Sequence, residues 1–383
     1  METPPQRTEG TVAWFDQLRT FVIVLVVNLH ACVTYSHVGS WYTQEAPEPT
    51  LLEKLPFAFW QAHLQSFFMG ILFLLSGALA HGSIERRGPA GFARGRLLRL
   101  GVPCLLYTLV LHPFIVFVLN PGGWDFGPLP AAYARFVIRG NFIGATGPMW
   151  FAAALLFFSL ALAGWRALRG APAPRISAAP GPAAIAAWSA AMVAATFLTR
   201  TVQPIGTSVS NMQLCYFPQY VFAFATGVAA ARGGWFQDLA RSPLARRAGL
   251  CALVLGPVGL ACALVYGGVL RGLGITLLSG GWNGAALAYA AWEQLTGTAL
   301  ALGCLAFFSG RMNRTTPRSR WLSDRSFGVY LFHPVVLVAA TLALRALGPN
   351  PYVKCALLTA AGLAGSFLVA DAARRVPYLR TVV

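Results

Sequence analysis

Acidic residues are scarce in this chain, which has 12 Asp and Glu against 29 Lys and Arg in 383 residues. Charged residues of both signs make up only 11% of the sequence, whereas a soluble domain carries about a quarter. Apolar residues make up 56%, and several nearly uncharged runs of about 18 or more residues are each long enough to cross roughly 30 Å of hydrocarbon. This composition excludes an ordinary soluble protein and predicts an all-α integral membrane protein, with the lipid bilayer as its surroundings.

The net charge of +17 does not indicate a nucleic-acid-binding protein. The arginines are spread over short loops rather than gathered in one basic domain. With the N-terminus in the cytoplasm, about 22 of the 29 basic residues fall on the cytoplasmic side of the predicted spans, as the positive-inside rule requires. We therefore expect a multi-pass protein of the cell (inner) membrane, with both termini in the cytoplasm.

The seven cysteines lie almost wholly in apolar runs and show neither metal-ligand spacing nor a pattern of extracellular pairs. We interpret them as small core residues and expect no metal site. The first ten residues are polar and lead directly into a full-length apolar run. Because no short apolar region with a small-residue cleavage site precedes that run, no removable signal peptide is expected.

The apolar runs predict about ten transmembrane helices within a single polytopic domain that covers residues 1–383. The predicted spans are 12–36, 57–80, 98–119, 147–166, 183–199, 213–231, 248–267, 284–309, 326–346 and 353–370. The outer loop that follows the first span is too short for a domain and could cover the mouth of a cavity.

The first span carries Asp16, Arg19 and His30 into an apolar stretch. Arg19 and His30 are 11 positions apart, which in a helix places both on one stripe, about 16 Å apart along the axis. Ionisable residues in a membrane usually face protein or a water-filled cavity because exposure to lipid is costly. Arg19 could instead reach the interface from a helix end, and His30 could be a hydrogen-bonded core residue. With Asp16 one turn before Arg19, we favour a polar track through the helix bundle.

The ninth predicted span begins at Ser326 and places Tyr330 and His333 on the same face. Pro334 has no N–H for the Tyr330 carbonyl, so we expect a kink and a polar backbone group without a helical partner. Residue counts along the spans predict layers at different depths. The inner layer holds Arg19, Tyr330 and His333, the outer layer holds His30 and His63, and Glu293 lies near the middle.

Arg96 and Arg99 lie one turn apart at the start of the third predicted span, on a face at the cytoplasmic membrane surface. Their spacing alone favours charges that set the membrane topology. Guanidinium groups in this position are also suited to binding phosphates through paired hydrogen bonds.

Taken together, these motifs resemble the membrane-bound acyltransferase-3 family, most closely the branch that contains glucans biosynthesis protein C. The resemblance covers nearly the whole chain. The motifs that carry it are Asp16-Gln-Leu-Arg19 with His30 ten residues further on, Leu-Leu-Ser76-Gly77, Arg96-Leu-Leu-Arg99-Leu-Gly-Val-Pro103, Met149-Trp150-Phe151 and Ser326-Phe-Gly-Val-Tyr330-Leu-Phe-His333-Pro334.

The resemblance implies transfer of an acyl group, acetyl or succinyl in type, from cytoplasmic acyl-CoA to a hydroxyl of an extracytoplasmic glycan or other cell-envelope acceptor. It implies that Arg19 and His30 form the functional core, and that Arg96 and Arg99 bind acyl-CoA. On chemical grounds Arg19 could hold a pantetheine amide, a thioester oxygen or a CoA phosphate. His30 would take the proton of the acceptor hydroxyl. Transfer could be direct or pass through an acylated residue.

Five further side chains are candidates for supporting roles. His333 and Tyr330 could polarise the thioester carbonyl or simply pair with each other. Asp16 could support Arg19. For His63 and Glu293 we favour structural hydrogen bonding over a role in the reaction.

Two other functions fit parts of the sequence. A proton-coupled transporter of a small anionic or acylated molecule would use Arg19, His30 and Glu293 as its track, but no internal repeat of the kind common in transporters is evident. A scaffold without activity is disfavoured because several ionisable residues lie within the spans.

Overall fold

The computed structural model describes residues 13–45, 47–170, 177–239, 242–272, 274–348 and 350–380. Within these ranges the regular structure is helical, apart from an isolated β-bridge between Val209 and Met212. The polar first ten residues, and with them the expectation of no signal peptide, lie outside the described part of the chain.

The α-helices follow one another through short connections. They are α1 (Ala13–Ser36), α2 (Leu51–Arg96), α3 (Val102–Leu106), α4 (Leu129–Ile138), α5 (Trp150–Arg169), α6 (Pro182–Val202), α7 (Phe217–Gly233), α8 (Phe236–Leu239), α9 (Pro243–Tyr266), α10 (Thr276–Ser279), α11 (Gly284–Arg311), α12 (Pro317–Leu344), α13 (Pro351–Arg374) and α14 (Pro377–Arg380).

Eight helical stretches of the described residues are long and apolar enough to cross a membrane. They are Ala13–Ser36, Leu51–Leu119, Gly147–Arg169, Pro182–Val202, Leu214–Gly233, Pro243–Tyr266, Pro317–Leu344 and Pro351–Arg374. The 28-residue α11 is long enough but is not one of the eight. The structure thus confirms a multi-pass, all-helical membrane protein, while the count of about ten spans and the cytoplasmic termini remain predictions.

Two predicted spans, 57–80 and 98–119, belong to one helical run of 69 residues. At 1.5 Å per residue such a run is about 100 Å long, far more than one bilayer. The backbone leaves the helical conformation at Gly88, whose φ is 66°, a value that side-chain-bearing residues rarely adopt. Pro89 follows and cannot donate a backbone hydrogen bond. The Gly88-Pro89 step therefore divides the run.

α12 begins nine residues before the predicted start at 326, at Pro317. The Thr316 hydroxyl accepts the Ser319 N–H at 3.1 Å, and Pro317 occupies the first helical position, where its missing N–H is not needed. The expectation that His333 lies at the level of Arg19 is wrong because of this earlier start. His333 is 16 residues into α12, and His30 is 17 residues into α1.

α1 lies among α2, α11, α12 and α13. It runs parallel to α12, because Arg19 near its start contacts Ser323 and His30 further along contacts His333. Gln17 donates to the backbone carbonyls of Met312 and Arg314, each at 2.8 Å, and Arg19 reaches the Ser323 carbonyl at 3.4 Å. Parallel helices with similar starting levels bring residues of similar helical depth side by side.

Gly77 of the Ser76-Gly77 motif shows how closely the helices pack. A Cβ atom there would lie 2.1 Å from the Phe224 carbonyl oxygen of α7, and one at Gly227 would lie 2.0 Å from the Leu74 oxygen. Only glycine permits this contact between the α2 and α7 backbones.

The cysteines are all free thiols, but only some lie in the core. Cys32 and Cys355 are buried, with their sulfur atoms 3.5 Å apart between α1 and α13. Cys251 and Cys262 lie on the outer surface of α9, so the interpretation of all seven as core residues is wrong for these two. A small apolar residue is equally compatible with a lipid-facing position.

Candidate active site

His30 of α1 and His333 of α12 meet in the interior of the helix bundle. Nδ1 of His30 lies 3.1 Å from Nε2 of His333, and the two ring planes are inclined by 22° with centroids 5.1 Å apart, so the rings meet edge to edge. Sequence reasoning placed them in different layers. The structure brings them together because α1 and α12 are parallel and begin at matching levels.

Pro334 determines which nitrogen of each ring carries a proton. Because Pro334 has no N–H, the Tyr330 carbonyl has no helical donor, and Nδ1 of His333 lies 2.8 Å from it. A carbonyl only accepts, so Nδ1 of His333 is the donor and its Nε2 holds a lone pair. That lone pair faces Nδ1 of His30, which must then carry a proton. In the neutral pair, Nε2 of His30 is left unprotonated.

The two histidines differ in accessibility. His333 is completely buried, and charging it there would be costly without a counter-charge. His30, in contrast, is partly exposed. The pair is therefore one buried ring that orients a second, partly exposed ring.

Trp41 covers the histidine pair. Its indole stacks on His30 with ring centroids 4.1 Å apart and lies nearly parallel to His333 at 6.1 Å. Trp41 belongs to the segment between α1 and α2, the loop that the sequence suggested could cover a cavity. Sequence reasoning did not select Trp41 as a site residue, because a position in a loop does not indicate which helix the side chain contacts.

A second hydrogen-bonded group lies next to Trp41 and was also missed. The Tyr42 hydroxyl is 2.7 Å from the Tyr107 hydroxyl and 2.8 Å from Nδ1 of His112. Burial raises the pKa of Tyr42 above its usual range, so its hydroxyl stays protonated and donates to one of these partners. These contacts anchor the loop that carries Trp41 to the helical run containing Tyr107.

The hydroxyl groups of Tyr42 and Tyr107 pack against the backbone of Gly147. Its φ is +46°, and a Cβ there would lie 2.6 Å from the hydroxyl oxygens of both Tyr42 and Tyr107. Asn211 donates to the Gly147 carbonyl at 2.8 Å. The segment that leads into α5 is thus held close to the site by a position where only glycine fits.

Tyr330 contributes its backbone rather than its hydroxyl to the histidine pair. The hydroxyl donates to the Pro148 carbonyl, while the carbonyl of Tyr330 accepts from His333. The side chain is buried, and its ring lies 6.1 Å from that of His333. The expected closeness of the two residues is present, and a direct role of the Tyr330 hydroxyl toward substrate remains a prediction.

Arg19 lies near the beginning of α1 and is not part of the histidine pair. Its Nη2 is 3.1 Å from Oδ1 of Asp16 and 3.4 Å from the Ser323 carbonyl. About a third of the side chain is exposed, at 34%, and its buried Nε has no partner among the described residues. Ile23 and Val26, between Arg19 and His30 on the same stripe, are buried. The ion pair with Asp16 agrees with the one-turn spacing, whereas Ile23 and Val26 interrupt the predicted polar track between Arg19 and His30.

The family model of the acyltransferase domain Acyl_transf_3 matches residues 12–373. The chain belongs to this acyltransferase-3 family. No curated protein and no solved structure matches it. The molecule is therefore a multi-pass membrane acyltransferase, and the narrower likeness to the glucans biosynthesis protein C branch remains a prediction.

Arg96 and Arg99 of this acyltransferase lie at the junction of α2 and a π-helical turn, Leu97–Gly101. Arg99 is exposed and Arg96 is half-buried, with its guanidinium 5.1 Å from the centre of the Phe92 ring. A cation held on an aromatic face is positioned without losing its charge. Both side chains keep donors free for an anion, so their proposed role toward acyl-CoA stays a prediction.

Glu293 lies in a different part of the acyltransferase, in an ion pair with Arg200. Nη2 of Arg200 is 2.6 Å from Oε2 of Glu293, and the side chains are 0% and 1% exposed. Gln294 donates to the same carboxylate oxygen at 2.9 Å. Tyr216 and Tyr289 present their ring faces to the guanidinium. The transporter alternative required Glu293 in one track with Arg19 and His30, and the structure pairs it elsewhere.

His63 likewise lies away from the histidine pair. Its Nδ1 donates to the Phe59 carbonyl at 2.6 Å, and its ring packs edge-on against Trp292 of α11. The structure thus places His63 in helix packing, and it describes no group of three or more His, Cys, Asp or Glu side chains that could hold a metal ion within the residues it covers.

Proposed function

We propose that this acyltransferase moves an acyl group, acetyl or succinyl in type, from cytoplasmic acyl-CoA to a hydroxyl of an extracytoplasmic glycan or other cell-envelope acceptor. The cell (inner) membrane would be its location. The observation that best supports the proposal is the histidine pair, which leaves Nε2 of the partly exposed His30 unprotonated. A lone pair in this position suits removal of a proton from a hydroxyl group.

His30 acts as the general base in this proposal. Nε2 takes the proton as the acceptor oxygen attacks the thioester carbonyl, and the resulting imidazolium passes it to the departing CoA thiolate. General acid–base catalysis of this kind contributes about 10²–10⁴-fold to a rate.

His333 keeps His30 oriented throughout the reaction. Its Nε2 accepts from Nδ1 of His30 before and after proton transfer, and its own Nδ1 remains on the Tyr330 carbonyl. A third group that orients the base is the arrangement used by catalytic triads. A neutral histidine here stabilises the charged form of His30 less than a carboxylate would.

The donor would enter from the face of the bundle at which α1 begins, taken as the cytoplasmic face. Arg96 and Arg99 would bind the CoA phosphates there. The buried, unpartnered Nε of Arg19 fits an amide or carbonyl oxygen of the pantetheine arm. Arg19 and His30 are about 16 Å apart along α1, a distance that the extended arm would bridge.

The test uses the full-length protein in lipid nanodiscs with acetyl-CoA or succinyl-CoA and a thiol reagent. We expect CoA release that requires a hydroxyl acceptor and slows on acidification, because protonated His30 has no acceptor atom. Mass spectrometry of envelope glycans from cells with and without the protein identifies the acceptor. Absence of acceptor-dependent CoA release with either donor, together with unchanged glycans, would refute the proposal.

Arg96 and Arg99 are tested separately by a double replacement with alanine. We expect a higher KM for acyl-CoA with unchanged expression and little change in kcat. If the double variant has the same KM for acyl-CoA as the wild type, both arginines serve only to set the membrane topology.

A further inference from the structure

A groove lined by arginines lies where α12 begins and α13 ends. Two adjoining cavities of about 480 and 390 Å³ form it, and Asp324 and Arg325 line both. This arginine groove also contains Arg320, Arg374, Arg375 and Arg380. It lies about 13 Å along α12 from His333, so it is separate from the histidine pair.

Positive charge exceeds negative charge in the arginine groove. Five guanidinium groups face two carboxylates, those of Asp324 and Asp371. Asp371 is already engaged, since its Oδ1 is 2.7 Å from Nε of Arg325 and its Oδ2 is 2.9 Å from Nη2 of Arg375. The groove therefore keeps an excess of about three positive charges, and proteins commonly bind anions at such sites.

Two of the arginines are available to a ligand. The exposed side chains of Arg320 and Arg380 line the two cavities and form no hydrogen bond or ion pair with any described residue. Arg325, in contrast, is fixed in place by Asp371, by the Trp321 carbonyl at 3.0 Å and by the Trp321 ring, whose centre lies 4.3 Å from the guanidinium. Arg325 lines both cavities, so one fixed cation is combined with two whose donors are free for an anion.

The arginine groove is at the level of the membrane surface. The first turns of α12, Pro-Arg-Ser-Arg-Trp-Leu-Ser-Asp-Arg, are polar, and the apolar part of the helix follows them. Trp321 is 40% exposed and stacks on Phe367 of α13. Tryptophan beside basic residues at the end of an apolar span is typical of the head-group region.

We propose that the arginine groove binds a phosphate ester at the membrane surface. Guanidinium groups match phosphate oxygens through paired hydrogen bonds, and basic pockets between transmembrane helices bind anionic lipid head groups. The phosphate would come from the head group of an anionic phospholipid or from CoA, and the second source rests on the proposed function.

Native mass spectrometry of the full-length protein in detergent tests the site. The groove variant carries Arg320→Gln and Arg380→Gln. The control variant carries Arg311→Gln and Arg314→Gln, which removes the same charge from exposed positions nearby outside the residues that line the groove. Each protein is titrated with phosphatidylglycerol, with phosphatidylcholine, with CoA and with dephospho-CoA.

We expect the groove variant to bind one anionic ligand about tenfold more weakly than the control variant, because charge-assisted hydrogen bonds are lost. A loss confined to phosphatidylglycerol supports a lipid head group, and a loss confined to CoA supports the nucleotide. Equal affinities of both variants for both ligands would overturn the proposal. A wild-type protein that binds phosphatidylglycerol in the groove but releases no CoA from acyl-CoA refutes the proposed function alone.

Discussion

The His30–His333 pair and the Arg200–Glu293 pair are both polar contacts inside an apolar bundle, yet they differ in charge and access. The histidines are joined by one directional hydrogen bond, and His30 remains half-buried. The ion pair is at most 1% exposed and is flanked by tyrosine rings. A fully buried ion pair holds helices together, whereas a partly exposed neutral imidazole can exchange a proton with another molecule. Burial of a charged group alone is therefore a poor guide to the active site.

Among the substitutions that test this difference between the two pairs, replacement of His30 with alanine should have the largest effect on acyl transfer. We expect the rate of acyl transfer to fall by about 10²–10⁴-fold, because the general base is removed. The free energy of unfolding should change little. The measurement is acceptor-dependent CoA release, with His81→Ala on α2 as a matched half-buried histidine control. Unchanged release from the His30 variant would exclude His30 as the base.

Arg200→Met should act on stability instead. It leaves Glu293 buried without its partner, which we expect to lower the free energy of unfolding by about 3–5 kcal/mol. Chemical denaturation in detergent measures this loss, and Arg200→Met combined with Glu293→Gln should recover most of it. If Arg200→Met abolished transfer while stability stayed the same, the two polar regions would not be functionally distinct.

Pro334→Ala should loosen the histidine pair. Alanine restores a backbone N–H that competes with Nδ1 of His333 for the Tyr330 carbonyl, so the protonation of both rings is no longer imposed. We expect about a tenfold lower kcat, which corresponds to one lost hydrogen bond, without a change in the KM for the donor. Neutron or NMR measurement of the His333 tautomer checks the cause, and an unaltered tautomer would contradict it.

Trp41 should give the smallest effect. Trp41→Ala removes the ring that stacks on His30, and a stacking contact contributes about 1 kcal/mol, so kcat should fall about fivefold. Trp41→Phe keeps an aromatic face and should recover most of the loss. Equal rates for the alanine variant and the wild type would show that the stack does not orient His30.

Some of the site followed from local rules. The eleven-residue spacing places Arg19 and His30 on one stripe, and Asp16 does support Arg19. The missing N–H of Pro334 predicted that the Tyr330 carbonyl has no helical donor, and in the structure this carbonyl accepts a hydrogen bond from the His333 ring. These results depend only on helix geometry and on covalent structure within a few residues.

Other parts did not follow. The level of His333 depended on where α12 starts, and the Thr316 cap lies outside the apolar run from which the span was predicted. Arg200 directly follows the predicted span 183–199, and nothing in that position indicates that its side chain turns inward to Glu293. Trp41 and Tyr42 lie on a loop, where no periodicity indicates a partner.

The sequence by itself determined the helical, membrane-spanning character of the protein, since apolar runs must satisfy their backbone hydrogen bonds internally when no water is present. It also determined the stripe of α1 and the proton acceptor at Tyr330, because both are set within a few turns of one helix. Only the tertiary structure decided that His30 faces His333, 303 residues away, and that Glu293 faces Arg200. Such contacts depend on the relative level and rotation of separate helices, and these are set by packing along their whole lengths.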